Sequence, residues 1–537
     1  MKMSRQWTKE QQEAISKSGT NMIISAGAGS GKTAVLTERV IEKLRHGTSI
    51  RSLLILTFTN AAASEMKERI RSALQKEESL KEELDQLDSA YITTFDSYAL
   101  SLVKKYHYLL DVPKQIAITS SSIVSMKRVE IIDQILHEYY EKKDPAFVSF
   151  IHSFCIKGDQ NIRDAIRFYD DKLNLRTDKV EYLSHYLDHF YNEENINSFI
   201  HEYVQLLQEQ VGYIQTLLSS LELVSDGDYY YKIRDVLEPL LQAQDYSQFL
   251  VAQTLKLKNA PKGSSEELKK MKQQITDVLK DLKSLLVYED TDEIKRNLYQ
   301  TKPTASILVD ILLRLDQEMK AWKKRENAYE FHDISRMSLE LLKEHPEVCA
   351  EIKQGFSEIL VDEYQDTNDI QEEFISYIAN HNVYMVGDIK QSIYQFRNAN
   401  PYIFKQKYDQ YKQEKDGIKI DLIKNFRSRK EVLADINVLF DPWMDDEIGG
   451  ANYKQEHQMV AGNKMYDEEG KTDENYHMDL LNYTYEKESP YTRREIEIFT
   501  IAQDIKKKID QKFPIFDMKK GVTRPAEYKD FTILLQT

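Results

Sequence analysis

Apolar positions fall along this chain in two rhythms. Short unbroken apolar runs occur in "NMIISA" (21–26), "SLLILT" (52–57), "AYITT" (90–94), "EILVD" (358–362) and "NVYMVG" (382–387). Helical patterning separates most of them. Strands that alternate with helices predict an α/β fold with a parallel sheet. Between about residues 110 and 325 the rhythm becomes helical, with few Gly or Pro. Leu207, Val211, Ile214 and Leu218 mark one apolar face at 4-3-4 spacing. This predicts a helical domain inserted into the α/β domain. One clear loop, "KNAPKGSSEELKK" (258–270), interrupts it.

The texture changes again after about residue 428. Residues 445–476 are polar and loop-rich. The pattern then predicts a strand at "HMDLLNY" (477–483), a helix around 493–509 and a buried strand at "DFTILLQ" (530–536). A domain rarely stops on a buried strand, so the expectation is a second α/β domain cut short.

A length of 537 residues is too great for one core and predicts two to four domains. There is no run of eighteen apolar residues to span a membrane. The opening "MKMSRQWTKEQQ" lacks the apolar core of a secretory signal. Cys155 and Cys349 have no paired spacing, so a reduced, cytoplasmic compartment is expected, without a zinc or iron–sulfur site. The chain carries 73 Lys and Arg against 88 Asp and Glu, a net charge of −15. That excludes a protein that coats nucleic acid by bulk charge. Nucleic acid, if bound, needs a local groove on an otherwise acidic surface.

The chemistry concentrates in two places. Ala26, Gly27, Ala28, Gly29, Ser30, Gly31, Lys32 and Thr33 read A-G-A-G-S-G-K-T, the Walker A pattern, between a strand and a helix. Glycines let backbone amides approach a phosphate, and the helix start offers N–H groups and a positive dipole end. Lys32 is expected to reach the β- and γ-phosphates of ATP, and Thr33 to ligate Mg²⁺. The second place is "EILVDEYQD" (358–366). Asp362 ends an apolar strand, as a second Mg²⁺ ligand should. Glu363 follows it, placed to orient and deprotonate an attacking water.

Five segments resemble one family when taken together. "AGAGSGKT", "TFTNAAASEMKERI" (57–70), "VDEYQDTN" (361–368), "VGDIKQSIYQFR" (386–397) and "KNFRS" (424–428) are similar to the superfamily 1 helicases of the UvrD, PcrA and Rep type. "QWTKEQQEAI" (6–15), "KKYHYLLDV" (104–112), "GIKIDLIKNFRSRKEVL" (417–433) and the long helical insertion look more like the AddA-type helicase-nuclease subunits of bacterial AddAB complexes. The resemblance covers nearly the whole chain and is weak through 115–325.

The resemblance implies a RecA-like P-loop motor lobe at 1–110 and 326–427. It implies a helical inserted domain at 111–325 and a partial second RecA-like lobe at 428–537. It implies an ATP-driven 3′-to-5′ translocase and helicase on single-stranded and duplex DNA, in double-strand-break repair, partnered by a nuclease subunit of AddB type. Among the residues, it implies that Gln11 reads the adenine edge and Phe426 stacks on the base. Gln391 senses the γ-phosphate, and Arg427 acts as an arginine finger. Phe58, Asn60, Tyr394, Phe396 and Arg397 contact single-stranded DNA by stacking and backbone contact. On pattern alone, Tyr394 and Phe396 read rather as core residues at alternate positions; beside the Walker motifs the stacking reading prevails.

Three departures from the family stand out. Asp96 in "TTFDSYA" (93–99) replaces a usual His, His332 occupies an acidic position in "YEFHDI" (329–334), and Gln536 replaces an Arg. An acid at 96 puts a phosphate contact there in doubt, and a His at a helix start is more often structural. No acidic nuclease cluster occurs; "DEIKRNLYQ" (292–300) reads as a helix face. The lysines at 256, 258, 262, 269, 270 and 272 read either as a DNA contact or as a solvated face. Two rival functions remain at this level: a UvrD-type repair helicase without nuclease, and an ATP-gated single-strand-binding module.

Overall fold

Every backbone N–H and C=O in a parallel strand needs a neighbour, and the apolar runs find theirs in one sheet. The computed structural model describes all residues except 1–5, 156, 226, 467–475, 484, 486–488, 518–519 and 535–537. Its main sheet has six strands: β1 (Met22–Ala26), β2 (Leu53–Thr57), β3 (Tyr91–Thr94), β4 (Glu358–Val361), β5 (Val383–Gly387) and β6 (Ile418–Leu422). Their order is β3-β2-β4-β5-β1-β6. The first five pair in parallel, with Ile55 opposite Leu360 and Ile24 opposite Val386. β1, β2, β4 and β5 are buried along their whole length. Burial of both faces explains their near-continuous apolar sequence. The parallel α/β sheet expected from the sequence is therefore present.

By compactness the chain divides into two units, Met1–Ala26 with Lys32–Asp421, and Gly27–Gly31 with Leu422–Thr537. The first holds most of the main sheet and a long helical stretch. From Ser121 to Glu326 the described regular elements are all helical. Two apolar cores organise this stretch. One gathers Ile131, Ile135, Phe147, Ile166, Ile311 and Leu315. The other gathers Leu207, Val211, Ile214, Leu218, Leu237 and Leu279. The latter contains the four residues whose spacing marked an apolar face. A two-residue parallel bridge of Ala117–Ile118 with Ala328–Tyr329 closes the stretch at its base.

Arg39 is fully buried, and its position explains how the N-terminal helix Lys9–Ser16 is held. Its guanidinium meets the Glu358 carboxylate at 2.5 and 3.1 Å. The same group donates to the carbonyls of Ala14 (2.8 Å), Ile15 (3.2 Å) and Lys17 (2.7 Å). It also lies 4.1 Å from the centre of the Tyr384 ring. One planar cation therefore satisfies the end of a helix, a strand carboxylate and an aromatic face.

In the second unit the helices are Lys430–Phe440 and Arg493–Asp510, the latter matching the expected helix. Lys424–Asn425 pairs in parallel with Val460–Ala461, and Pro514–Asp517 pairs antiparallel with Val522–Pro525. Two expected strands are not formed among the described residues. Residues 478–483 are irregular, with Leu480 89% exposed, and 531–534 are irregular, with Leu534 91% exposed. Among the described residues neither segment has a strand beside it. Apolar alternation supplies a face, but a strand also needs a partner for its backbone. Gln536 lies outside the described residues.

Candidate nucleotide and single-strand site

The phosphate loop follows β1 directly. Gly29 and Gly31 have φ of +69° and +88°, a region that glycine enters without steric cost. Helix Lys32–Arg45 begins at the lysine, where the first N–H groups have no partner within the helix. Gly29 has a second reason to lack a side chain. A Cβ there would meet the Arg427 Cβ at 2.7 Å and the Asn425 amide at 2.9 Å.

Asn425 is buried and bonds on both sides. Its Nδ2 donates to the Ala28 carbonyl at 2.6 Å. Its Oδ1 accepts from the N–H groups of Arg427 (2.8 Å) and Ser428 (2.7 Å). The Phe426 N–H donates to the Gly29 carbonyl at 2.8 Å. The loop and the Phe426–Arg427 turn are thus tied together by one amide side chain and one backbone bond. Sequence reading singled out Phe426 and Arg427 but missed Asn425, whose only signal was its place in "NFRS".

The carboxylates gather at the end of β4. Asp362 is partly buried, and its N–H donates to the Leu56 carbonyl of β2 at 2.9 Å. Glu363 takes a left-handed backbone, φ +49°. Its Oε2 accepts from Lys32 Nζ at 2.8 Å and from Gln365 Nε2 at 2.9 Å. Asp366 is buried beside them, and its Oδ1 has no hydrogen-bond partner among the described residues. Burial first, then the charge of Glu363, pushes the Asp362 carboxyl up to about 6; Lys32 opposes the shift. The same causes in the same order push Asp366 up to about 6.

Three carboxylates against one ammonium, with a buried oxygen left over, form a set of hard oxygen donors in excess of positive charge. Hard oxygen donors are the class that Mg²⁺ takes.

Past β5, Asp388 is buried and organises the next turn. Its carboxylate accepts from Lys390 Nζ and from Gln391 Nε2, each at 2.7 Å. Gln391 is therefore held at the strand end. Gln11 is buried, and its Oε1 accepts the Thr8 N–H at 3.0 Å in a helix capping box. That bond fixes the helix start on which Gln11 sits.

The aromatic residues converge. Phe58 and Tyr394 have ring centres 4.6 Å apart, and Tyr394 and Phe396 5.7 Å apart. Phe396 is 77% exposed, and Phe58 and Tyr394 are half-buried. A run of three rings that ends in solvent is unlike a core cluster. Asn60 is exposed at the first position of helix Asn60–Leu74, behind its Thr59 cap. The Arg397 side chain lies outside what the structure describes.

A cavity of ≈ 580 Å³ opens beside these rings, with Phe58, Asp96, His332, Asp366 and Tyr402 on its wall. Asp96 is half-buried. That burial raises its pKa, and Ser335 opposes the shift only through a 3.5 Å contact. His332 lies 3.2 Å from Asp333, beside the Lys323 ammonium that Glu330 and Asp333 share. That group already contains its own cation. The lysines at 256, 258, 262, 269 and 270 are exposed.

The sequence matches the UvrD/REP helicase N-terminal domain over residues 7–412. It is 32% identical over 508 residues to an ATP-dependent helicase/nuclease subunit of Thermoanaerobacter sp. (strain X514), covering 86% of this chain and 41% of that one. It is 30% identical to the protein of the same name from Ligilactobacillus salivarius, covering 99% and 47%. For that of Oceanobacillus iheyensis the identity is 29%, covering 99% and 48%. The chain thus spans less than half the length of these curated relatives. No described helix is long and apolar enough to cross a membrane.

Proposed function

This chain belongs to the UvrD/REP helicase family, and on that premise we propose that it is the helicase portion of an AddA-type helicase-nuclease. It hydrolyses ATP to move 3′ to 5′ along single-stranded DNA and unwinds duplex in double-strand-break repair. Its partner is a nuclease subunit of AddB type, in the bacterial cytoplasm. Residues 1–110 and 326–427 act as the first RecA-like motor lobe, 111–325 as an inserted helical domain and 428–537 as part of a second lobe.

The observation that carries this reading is the 2.8 Å ion pair between Lys32 and Glu363. It joins the lysine of the phosphate loop to the carboxylate that follows the Asp362 strand end. Lys32 exchanges this carboxylate for the β- and γ-phosphates when ATP arrives. Glu363 is then released to accept a proton from the attacking water. Thr33 and Asp362 would hold Mg²⁺, which would neutralise charge on the phosphates. Gln391 and Arg427 address the γ-phosphate, where positive charge stabilises the transition state. Gln11 and Phe426 hold the base. Phe58, Tyr394 and Phe396 carry successive DNA bases by stacking, with Asn60 and Arg397 at the backbone.

The test is strand displacement by the full-length natural chain that carries these residues. Duplexes with 3′ or 5′ single-stranded tails are compared, with ATP and Mg²⁺. Unwinding confined to 3′-tailed duplex is expected. DNA-stimulated ATP turnover without displacement from either tail would replace the helicase by an ATP-gated clamp.

A further inference from the structure

Gln365 is 2% exposed and sits between the ATP-site carboxylates and the strand end that leads to the aromatic rings. Its Oε1 accepts the Asp388 N–H at 2.9 Å. Its Nε2 donates to Glu363 Oε2 at 2.9 Å and, more weakly, to Asp366 Oδ2 at 3.3 Å. Its own carbonyl accepts from Ser392 Oγ at 3.3 Å. A neutral amide is the side chain of this length that can donate to a carboxylate and accept from a backbone N–H at once. The fit is close. A Cβ on Gly387 would come within 2.4 Å of Gln365 Oε1, so β5 ends in the one residue that leaves the amide room.

We infer that Gln365 is a positioning residue: it holds the Glu363 carboxylate in its working orientation and anchors it to the Asp388–Ser392 turn that precedes Tyr394. The inference rests on the ATPase reading above and assigns within it a buried residue that acts through Glu363. Lys32 alone would leave Glu363 free to turn once the ammonium moves to phosphate. Gln365 does not move with the nucleotide, because its other end is fixed to the Asp388 N–H just past β5. Glu363 also starts from a left-handed backbone, a strained conformation that surrounding contacts must hold. The same bonds make the turn beneath the ring platform and the catalytic carboxylate one connected network.

Two substitutions test this in the full-length natural chain. Gln365→Glu keeps the shape and the acceptor for the Asp388 N–H, but it cannot donate to Glu363 while ionised. Gln365→Met keeps the length and removes both polar ends. ATP turnover is measured at saturating oligo-dT, with the KM for ATP and the melting temperature. Expected is a kcat lowered roughly 10- to 100-fold in both variants, since one hydrogen bond to a charged group is lost. The KM for ATP should stay within about twofold, because a positioning loss acts on the transition state. Combined with Glu363→Gln, Gln365→Met should cause no further loss, as residues that act as a unit do not add. A purely structural role predicts a different pattern, with losses that follow the lowered melting temperature and add to that of Glu363→Gln. Wild-type kcat in either variant, or additivity with Glu363→Gln, overturns the inference while leaving the ATPase reading intact. A wild-type chain without ATP turnover would overturn that reading, and this inference with it.

Discussion

Lys32 Nζ lies 2.8 Å from Glu363 Oε2, although 331 positions of chain separate them. The pair is partly exposed, with the Glu363 side chain at 39%. Its energetic worth as a salt bridge is therefore small. In the proposed mechanism its significance is functional, because the two groups are each other's counterion until a phosphate competes for the lysine.

Glu363→Gln should keep nucleotide binding and abolish turnover. The amide is nearly isosteric, but it cannot take a proton from water. A loss on the order of 10²-fold or more in kcat is expected of a general base. Equilibrium nucleotide binding and steady-state phosphate release separate the two effects. Turnover close to wild type would remove Glu363 from the chemistry.

Tyr394→Ala should weaken single-strand binding with ATP affinity unchanged. The ring touches Phe58 on one side and approaches Phe396 on the other, so its removal splits the platform. Base–aromatic stacking is worth ~1–3 kcal/mol per base, which is about 5- to 150-fold in affinity. Fluorescence anisotropy with labelled oligo-dT reads this directly. Unchanged DNA affinity would return Tyr394 to a packing role.

Asp96→Asn should stabilise the protein at neutral pH and do nothing in acid. Burial raises the folded-state pKa of Asp96 above its ordinary value, with Ser335 opposing. A raised folded pKa means that the folded state binds its proton more tightly than the unfolded chain. The native carboxyl is therefore without penalty below the ordinary carboxylate pKa of ~4, and stability is lost as pH rises through the folded value. Asparagine has no charge to desolvate. The difference in urea midpoint between variant and wild type should favour the variant at about pH 7.5 and vanish near pH 4. A variant less stable at neutral pH would show that the ionised acid is well solvated.

Arg39→Met should be among the most destabilising single changes in the sheet. It leaves the buried Glu358 carboxylate without its bidentate partner and three carbonyls near the end of the N-terminal helix without a donor. Breaking a buried pair from one side costs about 3–5 kcal/mol. Lys43, 3.1 Å from the same carboxylate, places the loss at the lower end of that range. Urea unfolding measures it, and the double change Arg39→Met with Glu358→Gln should recover part of the loss. No recovery would mean that the helix carbonyls, not the ion pair, dominate.

The amino-acid sequence by itself determined the elements whose requirements are local. The phosphate loop needs small residues in succession, and "AGAGSGKT" states them consecutively. Buried parallel strands need unbroken apolar runs, and all five runs read this way became strands of the main sheet. A carboxylate at a strand end is likewise a matter of neighbouring letters, which is why Asp362 and Glu363 were legible.

Tertiary structure decided whatever depends on a distant partner. Gln365 bonds the Asp388 backbone 23 positions away, and Asn425 bonds Ala28 across 397. In a sequence each is only a polar residue inside a motif, because an amide's role is set by the two groups it faces. Arg39 reads as one more helix charge until Glu358, Tyr384 and three carbonyls close around it. The segments 477–483 and 530–534 fail for the same reason in reverse. Their apolar pattern is local, but a strand exists only where another backbone lies alongside to accept its hydrogen bonds.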